Sequence, residues 1–436
     1  MNATAVNSAY TREVRAVVKL SVFLLSAVWL VSSTAWGDQA ADETQAYAVR
    51  GRTTEAHQRE LRERLERVHA ALSRELQRAA PDLLPLLEPP PPGAVIGYQI
   101  LPRVTSDVAP PPPAKPHVVS YSWPWSDTLI AREIAALDPL EADLAALPAP
   151  PATADHARYE SLVTNYKKAI ERRRPIDADV GYNRLWQAEI AHNRPRFDRN
   201  TTLIDAVVER QKQEPDAAAS LSKEILAAAG GVSLPDYVKI EHPTEHEWAV
   251  TVPLVTDVTD PEFIGKFKAA VEDAWHVHEG DDEFRVRLAI DLISPVKLYC
   301  DSPGVAAAPT PPTKECAPPK TGDPVDAGAH VARFPAGRAV LTTGAATLHV
   351  MGGRAIMLAS HDVAPRLFAH EFGHVLGFPD LYLRGYRDVG NDGFQVMELV
   401  PDPADIMSSP GAGTVLVRHF QEMIAAREVQ SARSGH

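Results

Sequence analysis

The stretch AHEFGHVLGFPD, Ala369 to Asp380, limits what this chain can fold into more than any other. With Leu367, its apolar residues Phe368, Phe372, Val375 and Leu376 recur at helical spacing, which predicts a helix over Val363 to Gly377. Gly377 tolerates the left-handed conformation that ends helices, and Pro379 prevents easy continuation, so the chain must turn there. Residues four apart on a helix share a face, so His370 and His374 can present two imidazoles to one ion. After the turn, Asp380 can return to the same ion. Two nitrogens and one carboxylate suit zinc, with the fourth position left for a water whose pKa falls towards ~7. Glu371 lies on a neighbouring part of the helix and is the expected acceptor of that water's proton. His370, His374 and Asp380 are thus the expected ligands of one catalytic zinc, with Glu398 as an alternative third ligand. His361 and His419 read as structural or surface histidines.

The rest of the chain sorts around this helix. Residues 1–37 have the pattern of a signal peptide: Arg12, Arg15 and Lys19 precede an apolar run, and Ala35-Trp36-Gly37 places small residues where cleavage occurs. Export to the periplasm or the medium is the expectation, with membrane attachment only if the segment is not cut. Residues 38–232 are rich in Ala and Pro. Leu61, Leu65, Val68, Leu72 and Leu76 mark a helix over Thr53 to Ala80, and further helices are expected at Ser126–Leu147, Thr153–Arg173 and Thr201–Ala229. Ala94–Ile100 reads as a short strand between two proline runs. This region has the character of a propeptide or accessory domain.

Near Ser233 the texture changes. Strands are expected at His246–Val255, Phe284–Leu292, Ala339–Thr343 and Thr347–Met351, with a helix over Pro261–His276. Gly352-Gly353 is a two-residue hairpin signal leading into Ala355–Ser360. Residues 233–436 therefore read as one α+β domain carrying the zinc motif.

The formal charge of −13 lacks the basic balance typical of nucleic-acid binders, so nucleic acid is not an expected partner. Cys300 and Cys316 bracket a proline-rich loop, and in an oxidising compartment they are expected to form a disulfide. Asp388, Asn391 and Asp392 offer clustered oxygens to calcium or, on the turn rules, form an Asx-type turn.

The extended pattern HExxHxxGxxD resembles the metzincin clan of metallopeptidases, with aspartate in place of the more usual third histidine. HEFGHVLGFPDLY is also similar to the motif of immune inhibitor A-like bacterial secreted peptidases. The resemblance implies a twisted mixed sheet, an active-site helix and a methionine turn beneath the metal, for which Asp405-Ile406-Met407-Ser408 is the match and Met397 the competitor. It implies protein or peptide as substrate, and it places Ala355–Ser360 as the strand that pairs with it. Where many members carry a tyrosine two residues after the methionine, this chain has Ser409, leaving Tyr382, Tyr386 or His419 as stand-ins. No cysteine precedes Cys300, so a cysteine switch is excluded. The contrasting expectation is a cell-envelope interaction protein that binds zinc with little or no hydrolysis.

Overall fold

The computed structural model describes residues 33–90, 97–106, 111–147, 155–227, 231–300 and 317–434. Its strands are β1 (His117–Trp123), β2 (Lys239–Thr244), β3 (Glu247–Thr256), β4 (His276–Glu279), β5 (Asp282–Leu292), β6 (Ala339–Thr343), β7 (His349–Met351), β8 (Ala355–Leu358), β9 (Leu383–Asp388) and β10 (Phe394–Val400). The helices used below are α1 (Ser33–Ala79), α2 (Ser126–Ala135), α3 (Asp138–Ala145), α4 (His156–Gln213), α5 (Pro215–Ala227), α6 (Pro261–Ala274), α7 (Pro295–Cys300), α8 (Ala327–Val331), α9 (Pro365–Val375) and α10 (Val417–Ser434).

The architecture is mixed α+β, built on a sheet of order β4-β5-β3-β6-β8-β7, with β2 added on β3. β5, β3, β6 and β8 are parallel neighbours, while β4, β2 and β7 join antiparallel. β6 and β8 are buried throughout, as strands covered on both faces must be. One face packs on α6 and α9 through Phe263, Phe267, Phe368 and Phe372, and the other on α7 and α8 through Leu298, Val331 and Phe334. Asp260 caps α6 by accepting the Glu262 and Phe263 N–H groups.

Several expectations change. The helices expected at Thr153–Arg173 and Thr201–Ala229 are replaced by α4, which runs from His156 to Gln213, followed by α5 from Pro215. The strand expected at Ala94–Ile100 is a turn over its described part, with Gln99 at φ 57° and its N–H donated to Thr343 Oγ1 (2.7 Å). The helix expected over Ser126–Leu147 breaks into α2 and α3, because Pro139 starts a new helix instead of continuing the old one. Ala355–Ser360 is not an outer strand: β8 is paired with β6 on one side and β7 on the other. The sheet ends at β7, which the glycine turn delivers with Gly352 and Gly353 at φ 58° and 65°. Residues 1–32 of the expected signal segment, and Cys316, lie outside the described residues; no helix among those described is long and apolar enough to cross a membrane.

A second sheet, β1-β10-β9, joins the two halves of the sequence. β1 pairs antiparallel with β10 over its whole length, from His117 opposite Val400 to Trp123 opposite Phe394. α4 covers this sheet. It bends at Asn193 (φ −114°, ψ 21°), two residues before Pro195, whose ring removes an N–H and crowds the preceding turn. Beyond the bend, Phe197 packs with Phe394 and Val396, and Ile204 and Val207 pack with Met397 and Leu399. Further out, the Leu61–Leu76 stripe of α1 is buried against α2, α3 and the start of α4.

Residues 233–436 produced alone would uncover Phe394, Val396, Met397 and Leu399, a contiguous apolar face. Such a fragment is expected to lack a cooperative unfolding transition and to bind a hydrophobic dye. A sharp denaturant transition with intact near-ultraviolet circular dichroism would show that β1 and α4 are dispensable.

Candidate metal centre

α9 begins at Pro365, where a missing N–H costs nothing, and stops at Gly377, whose φ of 94° suits glycine. A Cβ at Gly377 would run into the Ser233 carbonyl, so the stop is also a point of close packing. The helix is anchored from below by Trp275, which is fully buried and donates its indole N–H to Ala369 O (2.9 Å).

The two histidines are each held from behind. His370 Nδ1 is 3.0 Å from Ile406 O, and His374 Nδ1 is 2.8 Å from Phe378 O. A carbonyl only accepts, so both Nδ1 atoms carry hydrogen, and in the neutral rings both Nε2 atoms are lone pairs. These lone pairs face Asp380 Oδ1 at 3.4 Å and 3.2 Å. Ligand atoms of His370, His374 and Asp380 all lie within 4.8 Å of one another, and among the described residues no other His/Cys/Asp/Glu cluster is so arranged. Asp380 Oδ1 is buried and has no hydrogen-bond partner. A buried carboxylate oxygen without a donor, facing two imidazole lone pairs, is a donor set that fits a divalent cation and zinc in particular.

The electrostatics follow from this crowding. Burial pulls the His374 ring down, but the charge and proximity of Asp380 outweigh it and carry the ring up to about 9. Burial would raise Asp380, and the two imidazoles hold it well below the usual carboxylate range instead. Burial pushes the Glu371 carboxyl up, with the neighbouring imidazoles pulling it partly back. Glu371, His349, His361 and Tyr382 line the same cleft of about 1070 Å³ as the three cluster residues. β7 borders this cleft through His349 and Val350.

Met407 lies fully buried beneath α9, where a Cβ on Gly373 would overlap its Sδ. Gly373 lies between the two histidines, so the thioether sits against the helix at the level of the cluster. The turn carrying it is tied by Asp405. Asp405 Oδ1 accepts the Met407 N–H (2.7 Å), and its backbone carbonyl accepts those of Ser408 (3.1 Å) and Ser409 (2.8 Å). His419 and Arg418 pair with the same carboxylate, and Leu381 N donates to Met407 O (2.9 Å), fixing the turn to the segment after Asp380. This turn positions the His370 ring through Ile406 O. Sequence marks Asp405 only as part of the methionine-turn match; its role as the buried tie of that turn comes from the fold.

Several expected residues lie elsewhere. Glu398 is on β10, accepts the Arg384 Nε–H (2.6 Å) and is not part of the cluster. Met397 packs on α4. Tyr386 packs with Phe394 and Phe197, and His419 is buried on Asp405, so of the three stand-ins only Tyr382 lines the cleft. Asp388 Oδ1 accepts the Gly390 N–H (2.7 Å), an Asx-type turn between β9 and β10.

Burial would raise the Asp405 carboxyl, but His419 and Arg418 hold it below its ordinary value. A depressed folded pKa gives stability that is full above the unfolded value near 3.8 and is lost as pH falls through the folded one. Asp405→Asn is expected to cost about 3 kcal/mol or more at neutral pH by stranding these partners, and to flatten the stability profile below pH ~4. Urea denaturation across pH 3–7 reads both effects, and an unchanged midpoint would remove Asp405 from its role. Gly373→Ala is expected to destabilise by about 1–3 kcal/mol through overlap with Met407, measured the same way.

The chain matches no family model, no curated protein and no solved structure.

Proposed function

We propose that this protein is an exported zinc-dependent endopeptidase of the metzincin-like HExxHxxGxxD type, with His370, His374 and Asp380 as ligands and Glu371 as general base. The observation that carries the reading is the convergence of two imidazole lone pairs and the unpartnered Asp380 oxygen beside Glu371 in one large cleft. Zinc held there supplies Lewis acidity, polarising a carbonyl and lowering the pKa of water.

The chain's own groups supply the rest. Glu371 takes the proton of the attacking water and returns it to the leaving amine nitrogen. Its raised pKa brings it closer to the operating range of a general base. β7 ends the sheet at the cleft, so an extended peptide can align by adding a strand there. Tyr382 is buried, which pushes its phenol further up, and its hydroxyl stands as a donor towards developing negative charge. Met407 packs under α9 as the floor of the site, and Asp405 keeps that floor in place.

Purified protein is expected to hold about one zinc per chain, as a three-ligand site implies. His374→Ala should lose the metal. Glu371→Gln should keep it and lose hydrolysis of a broad peptide library by about 10²-fold or more. Undiminished hydrolysis by Glu371→Gln would overturn the mechanism, and full zinc binding with no cleavage by the unaltered chain would favour a zinc-binding interaction protein.

A further inference from the structure

A small cavity of about 60 Å³ opens beside Asp380, lined by Arg196, Phe197, Asn200, Asp380, Tyr382 and Arg384. Asp380, Tyr382 and Arg384 also line the main cleft, so the two spaces adjoin at the third cluster residue. The cavity is well above the ~10–15 Å³ needed to enclose one water and, at ~30 Å³ of liquid volume per water, has room for about two, the size of a carboxylate head.

Its chemistry is that of an anion site. Arg384 is held in one orientation: its guanidinium carbon lies 4.8 Å from the Trp186 ring centre and 4.6 Å from that of Tyr382, while its Nε donates to Glu398. Its two Nη groups donate to no other described residue, which leaves the paired end of a rigid fork for a ligand. Arg196 is exposed on α4 and has no ion-pair or hydrogen-bond partner among the described residues. Asn200 Nδ2 donates to Arg384 O (2.8 Å), fixing α4 against β9 so that both arginines border one space. Of the two carboxylates nearby, Glu398 is taken up by Arg384 Nε and Asp380 Oδ1 faces the imidazoles.

We infer that Arg196 and Arg384 form a specificity subsite for a carboxylate, so that the preferred substrates are peptides with a glutamate or aspartate side chain beside the scissile bond. This rests on the peptidase reading, with Arg196 placed at the small cavity just after the bend at Asn193 and Pro195. The two arginines come from different halves of the chain, and neither alone encloses the site.

The test uses the full-length, zinc-loaded Glu371→Gln protein and matched peptide pairs carrying Glu or Gln at each position of one scaffold. Calorimetry is expected to show the Glu peptide bound roughly ten- to hundredfold tighter at one position, as a charge-assisted contact gives. Adding Arg196→Ala should cut that ratio to about twofold or less, and adding Arg196→Glu should shift the preference to Lys. Arg196 is exposed, so these changes are expected to leave the urea unfolding midpoint unchanged. Equal binding of Glu and Gln peptides at every position, or a preference unchanged by both Arg196 variants, overturns the subsite and leaves the peptidase reading standing. A carboxylate preference that follows Arg196, in a protein whose Glu371 form cleaves none of the peptides, supports the subsite and removes the peptidase reading.

Discussion

Two hydrogen bonds from imidazole Nδ1 to backbone carbonyls set the chemistry of this molecule. Each fixes a tautomer and a ring plane at once, so that what remains of each ring is a lone pair aimed at Asp380. The carbonyls come from two different turns. Phe378 O belongs to the stop that Gly377 and Pro379 impose on α9, and is local. Ile406 O belongs to a turn reached only after the chain has made β9 and β10 and come back. The cluster therefore depends on a distant piece of backbone as much as on its own helix.

That piece is secured by a buried charge. Asp405 holds the turn internally and is held by His419 and Arg418 from α10. Met407 then fills the space beneath Gly373, and Trp275 closes the core from α6's end. Glycine at 373 is the steric counterpart of the methionine: the helix comes close because it lacks a Cβ there. The same logic of close approach recurs at Gly377 against Ser233.

Much of the cluster was legible in sequence because its information is local. Spacing of four on a helix, a glycine stop and a proline place His370, His374, Glu371 and Asp380 without reference to anything distant. The hairpin at Gly352-Gly353 was legible for the same reason, since its turn type demands positive φ at both residues. What was hidden was pairing across the sequence. β9 and β10 carry polar residues such as Arg384, Arg387 and Glu398 that offer weak strand periodicity, and their partner β1 lies far upstream beside proline runs. Glu398 looked available as a ligand only because nothing local showed Arg384 opposite it on the neighbouring strand. The place of β8 is hidden in the same way: a continuous apolar run identifies a buried strand but not its rank in the sheet.

The β1–β10 pairing also orders events in time. His117 meets Val400 across about two thirds of the chain, so this contact closes a very long loop and belongs among the last that folding can make. Helix α9 can form early from local contacts, but β9 and the returning turn at Ile406 are supported only once both ends are present. A chain interrupted between His374 and Ile406 would carry both histidines without the backbone carbonyl that orients His370. The imidazoles of α9 are thus in place before the distant carbonyl that orients one of them, and the cluster becomes geometrically complete only on the chain's return at Ile406.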